Sequence, residues 1–511
     1  MSTSAPAPAP AVVEMSRGVP RCSAPDATAA ALGILIERHD QRLELRRTRP
    51  DERPVYFRAR PGRLEWGADL TAFLPPGARP EPEPGALLAL LHGQAAPPDA
   101  TPLPGVRRLT MGTRIRVDAQ GITVTRERSE LPPPEGDLAH AVTRSLERAA
   151  DGGAYALAYS GGLASGYLAV LAEAAGHRAH LVHADLVPAG DWHPPASVPG
   201  GEPRRIALDL HGMLDHHTVH GGELLPPLPD FEAPVRLHAA LADATGLPVV
   251  SGALLESLIS VRLPDVPRGA RAWRLLGCEP FHISGTLRTL GEARELLDNR
   301  VVYTPGRRGA GSGDDARSGS GPDTQQLGAP PPPSPTGGSR LPWLTDEGRQ
   351  AYETAHRGSM AVWQDHLDAE EPVVGRLVGG LAERGTAGAL LPATDIGVLA
   401  AAAALAPRRL GRIRRGCFEN HLPLRRAVTA AGVTGLRAGA PGHWLRLGAA
   451  AYLHRERRKI VSELERHCAL GDLGLLEPRL VTASLRDGRS LAGQALPLLR
   501  LVWLDRWLRE R

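Results

Sequence analysis

The chain has 511 residues, 42% of them hydrophobic and 23% charged, which is ordinary globular content with room for two or three cores and excludes a small stapled scaffold. The 60 basic residues against 56 acidic ones leave a formal charge of +4, so the sequence pI near 9.1 reflects a small surplus on a mixed surface and lends nucleic-acid binding little support. Lys459 is the single lysine, and Cys22, Cys278, Cys417 and Cys468 lie far apart with no C-x-x-C pair, which indicates neither a zinc knuckle nor a disulfide framework.

Residues 1–25 are rich in Ala and Pro and are expected to form a disordered lead. They lack a basic stretch followed by an apolar one, and no apolar run in the chain reaches the length of a membrane span, so a cytoplasmic protein with no membrane partner is expected. A β-rich domain is expected over residues 26–134. Pro54–Arg60, Leu64–Trp66, Arg114–Val117 and Ile122–Thr125 are short β-branched and aromatic runs between Gly and Pro turns, with a short helical run, ALLALLHG, among them.

A second domain is expected over 135–511, starting with a helix around Asp137–Ala150. Within Ala154–Ala175 (AYALAYSGGLASGYLAVLAEAA) an apolar strand ends at Ser160, two glycines let the backbone approach a ligand, and an amphipathic helix follows whose first amides face an anion. This is a phosphate cradle, with neither Walker nor G-x-G-x-x-G spacing. A strand at His180–His183, a helix over Val235–Thr245 and a strand at Pro248–Ser251 continue the alternation. The pattern implies βαβ units and a parallel sheet, with the Ser160 loop and the turn after Ser251 on its carboxyl edge. Residues 306–340 are too poor in apolar side chains to fold and read as a flexible insertion. LPWLT at 341–345 resumes ordered structure, and in Gln494–Leu508 the helical spacing marks Trp503 and Trp507 as packing residues.

The loop Ser160, Gly161, Gly162, Leu163, Ala164, Ser165 resembles the pyrophosphate loop S-G-G-L-D-S of the asparagine synthase family, with Ala164 in place of the aspartate. That resemblance covers roughly residues 51–511. It implies an ATP-pyrophosphatase (adenine nucleotide alpha hydrolase-like) synthetase domain, preceded by a smaller glutaminase-like domain of the Ntn-hydrolase type. It also implies ATP and Mg2+ as cofactors, the five matching loop residues as nucleotide contacts, and the missing aspartate as a metal ligand.

Two further family motifs are matched in part. Against G-[DE]-G-x-D-E the chain has Gly252 retained, Ala253 and Leu254 at the next two positions, and Glu256 where a metal-binding aspartate is expected. Against K-x-x-L-R and R-x-K it has His421 in the lysine position, Leu424 and Arg425 matching, Arg437 as the later arginine and Gly439 in the second lysine position. The resemblance makes Arg425, Arg437 and His421 the groups that neutralise charge on the phosphates. Ser2 stands where glutamine-hydrolysing members carry cysteine, so no glutaminase is expected.

The implied activity is ATP-dependent amide formation through an acyl-adenylate, on the branch of lasso-peptide cyclases and β-lactam synthetases; asparagine synthesis from aspartate is a further alternative. Loss of the carboxylates at 164 and 253 and of the lysines at 421 and 439 supports a rival from another class. That rival is a catalytically degenerate protein that binds a nucleotide, a precursor peptide or an active paralogue. Asp185 is a carboxylate that could be recruited as a replacement, whereas the His216–His217 pair lacks the periodicity of one helical face.

Overall fold

A computed structural model describes residues 10–16, 19–23, 26–48, 54–74, 83–92, 101, 103, 105–126, 131–187, 201–215, 228–260, 341–355, 357, 389–414, 417–434, 436 and 443–510. It is a mixed α/β structure with two larger antiparallel sheets, a parallel one after them, and a two-stranded antiparallel ribbon of Arg412–Arg414 and Cys417–Glu419.

The two larger antiparallel sheets have the orders β2-β1-β6-β5-β7 and β3-β4-β8-β9. The first joins Ala11–Ser16 (β1), Val19–Cys22 (β2), Tyr56–Arg60 (β5), Arg63–Gly67 (β6) and Val106–Arg108 (β7); the second joins Ile34–His39 (β3), Arg42–Arg47 (β4), Thr113–Asp118 (β8) and Gly121–Arg126 (β9). Their facing side chains, Val13, Phe57, Leu64 and Trp66 from one sheet with Leu43, Leu45, Ile115 and Val117 from the other, form one core. Period-two alternation makes this possible, because every second residue points inward.

The expected disordered lead is corrected over Ala11–Ser16 and Val19–Cys22. There β1 pairs with both β2 and β6, and Val13 is fully buried between the sheets. Alternation of Ala11, Val13 and Met15 gives this strand an apolar face, which the surrounding Ala and Pro conceal when composition is averaged. The helix Pro84–Leu91 (α2) forms over the short helical run, and its Leu87, Leu88 and Leu91 pack with Trp343, Tyr352 and Trp503 of the later chain. His92, just after it, stacks on Tyr352 with ring centroids 3.8 Å apart.

The parallel sheet has the order β12-β11-β10-β13, from Arg204–Asp209 (β12), Ala179–Val187 (β11), Tyr155–Ala158 (β10) and Val249–Ser251 (β13). Around it lie Leu138–Ala150 (the third helix, α3, after Asp26–Ala31, α1, and α2), Leu163–Ala174 (α4) and Pro229–Thr245 (α6). Asp137 caps α3 by accepting from His140 N at 2.8 Å, and Gly246 ends α6 in the left-handed region at φ 68. The insertion 306–340 lies outside the described residues. Among the described residues, no helix is long and apolar enough to cross a membrane.

The C-terminal helix Ala495–Arg509 holds this assembly together. Trp503 is fully buried, as its spacing indicates, and its indole N–H donates to Leu214 O at 3.0 Å. Arg500 forks onto both oxygens of Asp230 in α6 at 2.6 and 2.7 Å, and Arg506 reaches Glu463 at 2.9 Å and the Tyr452 hydroxyl at 3.3 Å. Trp343 of the LPWLT segment is fully buried and donates to Gln494 Oε1 at 3.2 Å. Arg500→Ala should destabilise the fold by about 1–3 kcal/mol in urea unfolding, because the half-buried Asp230 then loses its counter-charge. Pairing Arg500→Met with Asp230→Leu should recover most of that loss.

Candidate functional site

In the register of β10 with β13, Ala158 stands opposite Ser251, so the turns that leave these two neighbouring parallel strands emerge side by side at the carboxyl edge. The first turn is Tyr159–Gly162. Tyr159 N still bonds Val182 O at 2.8 Å, and the buried His183 places Nδ1 2.8 Å from Tyr159 O, which fixes the backbone just ahead of the exposed Ser160. Gly161 has φ 76, a conformation in which a side chain would be strained. Gly162 is the N-cap of α4 and has no side chain to cap it. Ser160 Oγ lies 3.2 Å from Ser165 Oγ and 3.3 Å from Gly162 N, and Ser165 Oγ donates to Gly162 O at 3.1 Å.

The second turn runs from Gly252 into Leu255–Leu258 (α7, after α5, Leu210–Leu214, and α6). It lies directly on the start of α4: a Cβ at Gly252 would be 3.0 Å from Ala164 Cβ and 3.2 Å from Ser165 N. Leu254 has φ 69 although it is a leucine. Its side chain is buried in the main core, which offsets a backbone cost of about 1 kcal/mol. Two residues on, Glu256 Oε1 accepts from Ala164 N at 3.1 Å. Glu256 thus supplies, from 92 residues away, the capping carboxylate that Gly162 lacks.

The structure therefore brings Ser160, Gly161, Gly162, Leu163, Ser165, Gly252 and Glu256 to one place. His421 and Arg425 belong to another element. His421 stands just before the helix Leu422–Ala430 with φ 57, and Arg425 Nε donates to Asn420 O at 2.9 Å within the same segment. That helix packs Leu424 and Val428 into the core shared with α4, and Leu436 lies against Gly166. Arg437 and Gly439, like His216–His217, lie outside the described residues. Asp185, weighed as a replacement carboxylate, is held by the Arg205 fork at 2.6 and 2.9 Å. The role of His183 as an anchor for the loop was hidden in the sequence, where it reads as one more residue of an apolar strand.

Magnesium needs a near-octahedral oxygen shell, with one or two protein carboxylates beside phosphate oxygens and water. Among the described residues the donors at this site include one carboxylate, with an oxygen already on Ala164 N, two hydroxyls within bonding distance of each other, and the Ser251 hydroxyl, which accepts from Ala253 N. Ala164 adds a methyl group, packed toward Gly252. This donor set does not fit magnesium, and ATP phosphates do not fit the Ala164 amide while Glu256 holds it. No protein-family model matches the chain, and no curated protein matches it.

Two outcomes test this geometry. Ala164→Asp buries a second carboxylate beside Glu256, since Ala164 is only 8% exposed; it should cost about 1–3 kcal/mol at pH 7.5. Melting temperature should recover as pH falls toward 5 and either carboxyl protonates, and should be unmoved by Mg2+. Beneath the loop, burial pushes the Tyr155 and Tyr159 phenols up to about 12. A raised phenol pKa means that the neutral form is favoured in the fold. The stability it confers is complete below pH 10 and lost between 10 and 12, so melting temperature should fall steeply in that window and less steeply in Tyr159→Phe.

Proposed function

We propose that this chain is a catalytically degenerate relative of the asparagine synthase family that binds a precursor peptide or an active paralogue and does not turn over ATP. The observation that carries this reading is the packing of Gly252 onto Ala164. The two motifs that would hold magnesium and phosphate between them are in contact, with one carboxylate, Glu256, where the family pattern has four acidic positions. Ancestry is supported by the parallel sheet, by the Ser-Gly-Gly turn at the end of β10, and by the left-handed backbone kept at Leu254, where the motif has glycine. The rival reading, an AMP-forming ligase that closes a macrolactam without glutamine hydrolysis, requires charge neutralisation at several positions that this chain has lost. Removal of even one preorganised contact to a transition state costs about 10²–10³ in rate.

Incubation with ATP, Mg2+ and candidate carboxylate substrates, followed by measurement of AMP and pyrophosphate, tests the reading. It expects no AMP above the protein-free background. AMP formation that disappears in Ser160→Ala would overturn it in favour of the ligase.

A further inference from the structure

We infer that Glu256 is an internal anion, held in the cradle that the Ser160–Ser165 loop forms for a phosphate group, and that it keeps the loop closed to external phosphates. The inference rests on the reading of this loop as an inherited phosphate loop.

Three observations support it. The contact is to Ala164 N, one of the first-turn amides of a 12-residue helix, the donors that a phosphate would use. The carboxylate is delivered from a separate element, α7, and the chain is aimed there by a non-glycine residue in the left-handed region, Leu254. Strain of this kind persists where the surroundings enforce it, and here the buried Leu254 and Leu255 side chains do so. Finally, Ala164 itself permits the contact: an aspartate at this position would set a second negative charge beside Glu256 and push it off the amide. Ala164 and Glu256 are thus a matched pair, the loss of one carboxylate allowing the other to move onto the helix. The hydroxyls of Ser160 and Ser165, 3.2 Å apart, and the turn at Gly161 remain as the rest of the cradle.

A carboxylate that serves only as a helix cap would stabilise α4 without guarding any anion site. The test separates the two with inorganic pyrophosphate in EDTA as the probe, using calorimetry and thermal melting of the full chain. The wild type should show no saturable binding up to millimolar concentrations. Glu256→Ala should bind pyrophosphate at least tenfold more tightly and be stabilised by it. Glu256→Gln keeps an acceptor for Ala164 N and so guards against loss of folding; lacking the charge, it should also bind more tightly than the wild type. Adding Ser160→Ala to Glu256→Ala should weaken the gained binding.

Equal pyrophosphate affinity in the wild type and both Glu256 variants, whether all bind or none does, would overturn the inference and leave Glu256 a structural cap. That result is distinct from failure of the parent reading, which is decided by AMP release from the wild type.

Discussion

The site depends on the parallel pairing of β10 with β13. Because Ala158 and Ser251 share a register position, the two turns that follow must leave the sheet together, and each needs small residues to do so. Gly252 supplies that on one side and Ala164 on the other. The contact between them decides what the edge can hold. With a methyl group at 164 and no side chain at 252, the turns close on each other, and the Glu256 carboxylate bonds to the start of α4.

The wider structure holds those two turns in place. The core under the sheet joins α3, α4 and α7 to the helix Leu422–Ala430, so the start of α4 is fixed from several sides. The C-terminal helix draws α2, α6 and Leu214 into a second core through buried arginines and tryptophans. Buried ion pairs of this kind give weak net stability but impose geometry, since a displaced partner leaves a charge without compensation. Asp505, fully buried in that helix, shows the same economy. Burial pushes its carboxyl pKa up while Arg509, 3.0 Å away, opposes the shift. The neighbouring Cys468 thiol is pushed up to about 12 by burial first and by Asp505 second.

Much of the parallel domain was legible in the sequence, because strong local signals agree with the tertiary demand. The apolar run before Ser160, the two glycines and the helix after them lie where the pattern indicates, as do Trp343 and Trp503. What misled was averaging and distance. The strand Ala11–Ser16 is hidden by its Ala- and Pro-rich neighbours, and nothing in ALLALLHG shows that α2 packs with Trp343, Tyr352 and Trp503 of the later chain. Nothing local reveals that Glu256 reaches Ala164, because a bond across 92 residues depends on strand order. The left-handed Leu254 is equally hidden, because a leucine gives no sign of such a backbone.

The most direct measurement of this account is hydrogen–deuterium exchange across residues 159–167, with and without ATP and Mg2+. A cradle held by its own carboxylate predicts slow exchange at the start of α4 that the nucleotide leaves unchanged. Marked additional protection of that peptide in ATP and Mg2+ would show that the nucleotide takes the Ala164 amide from Glu256, and would contradict the account.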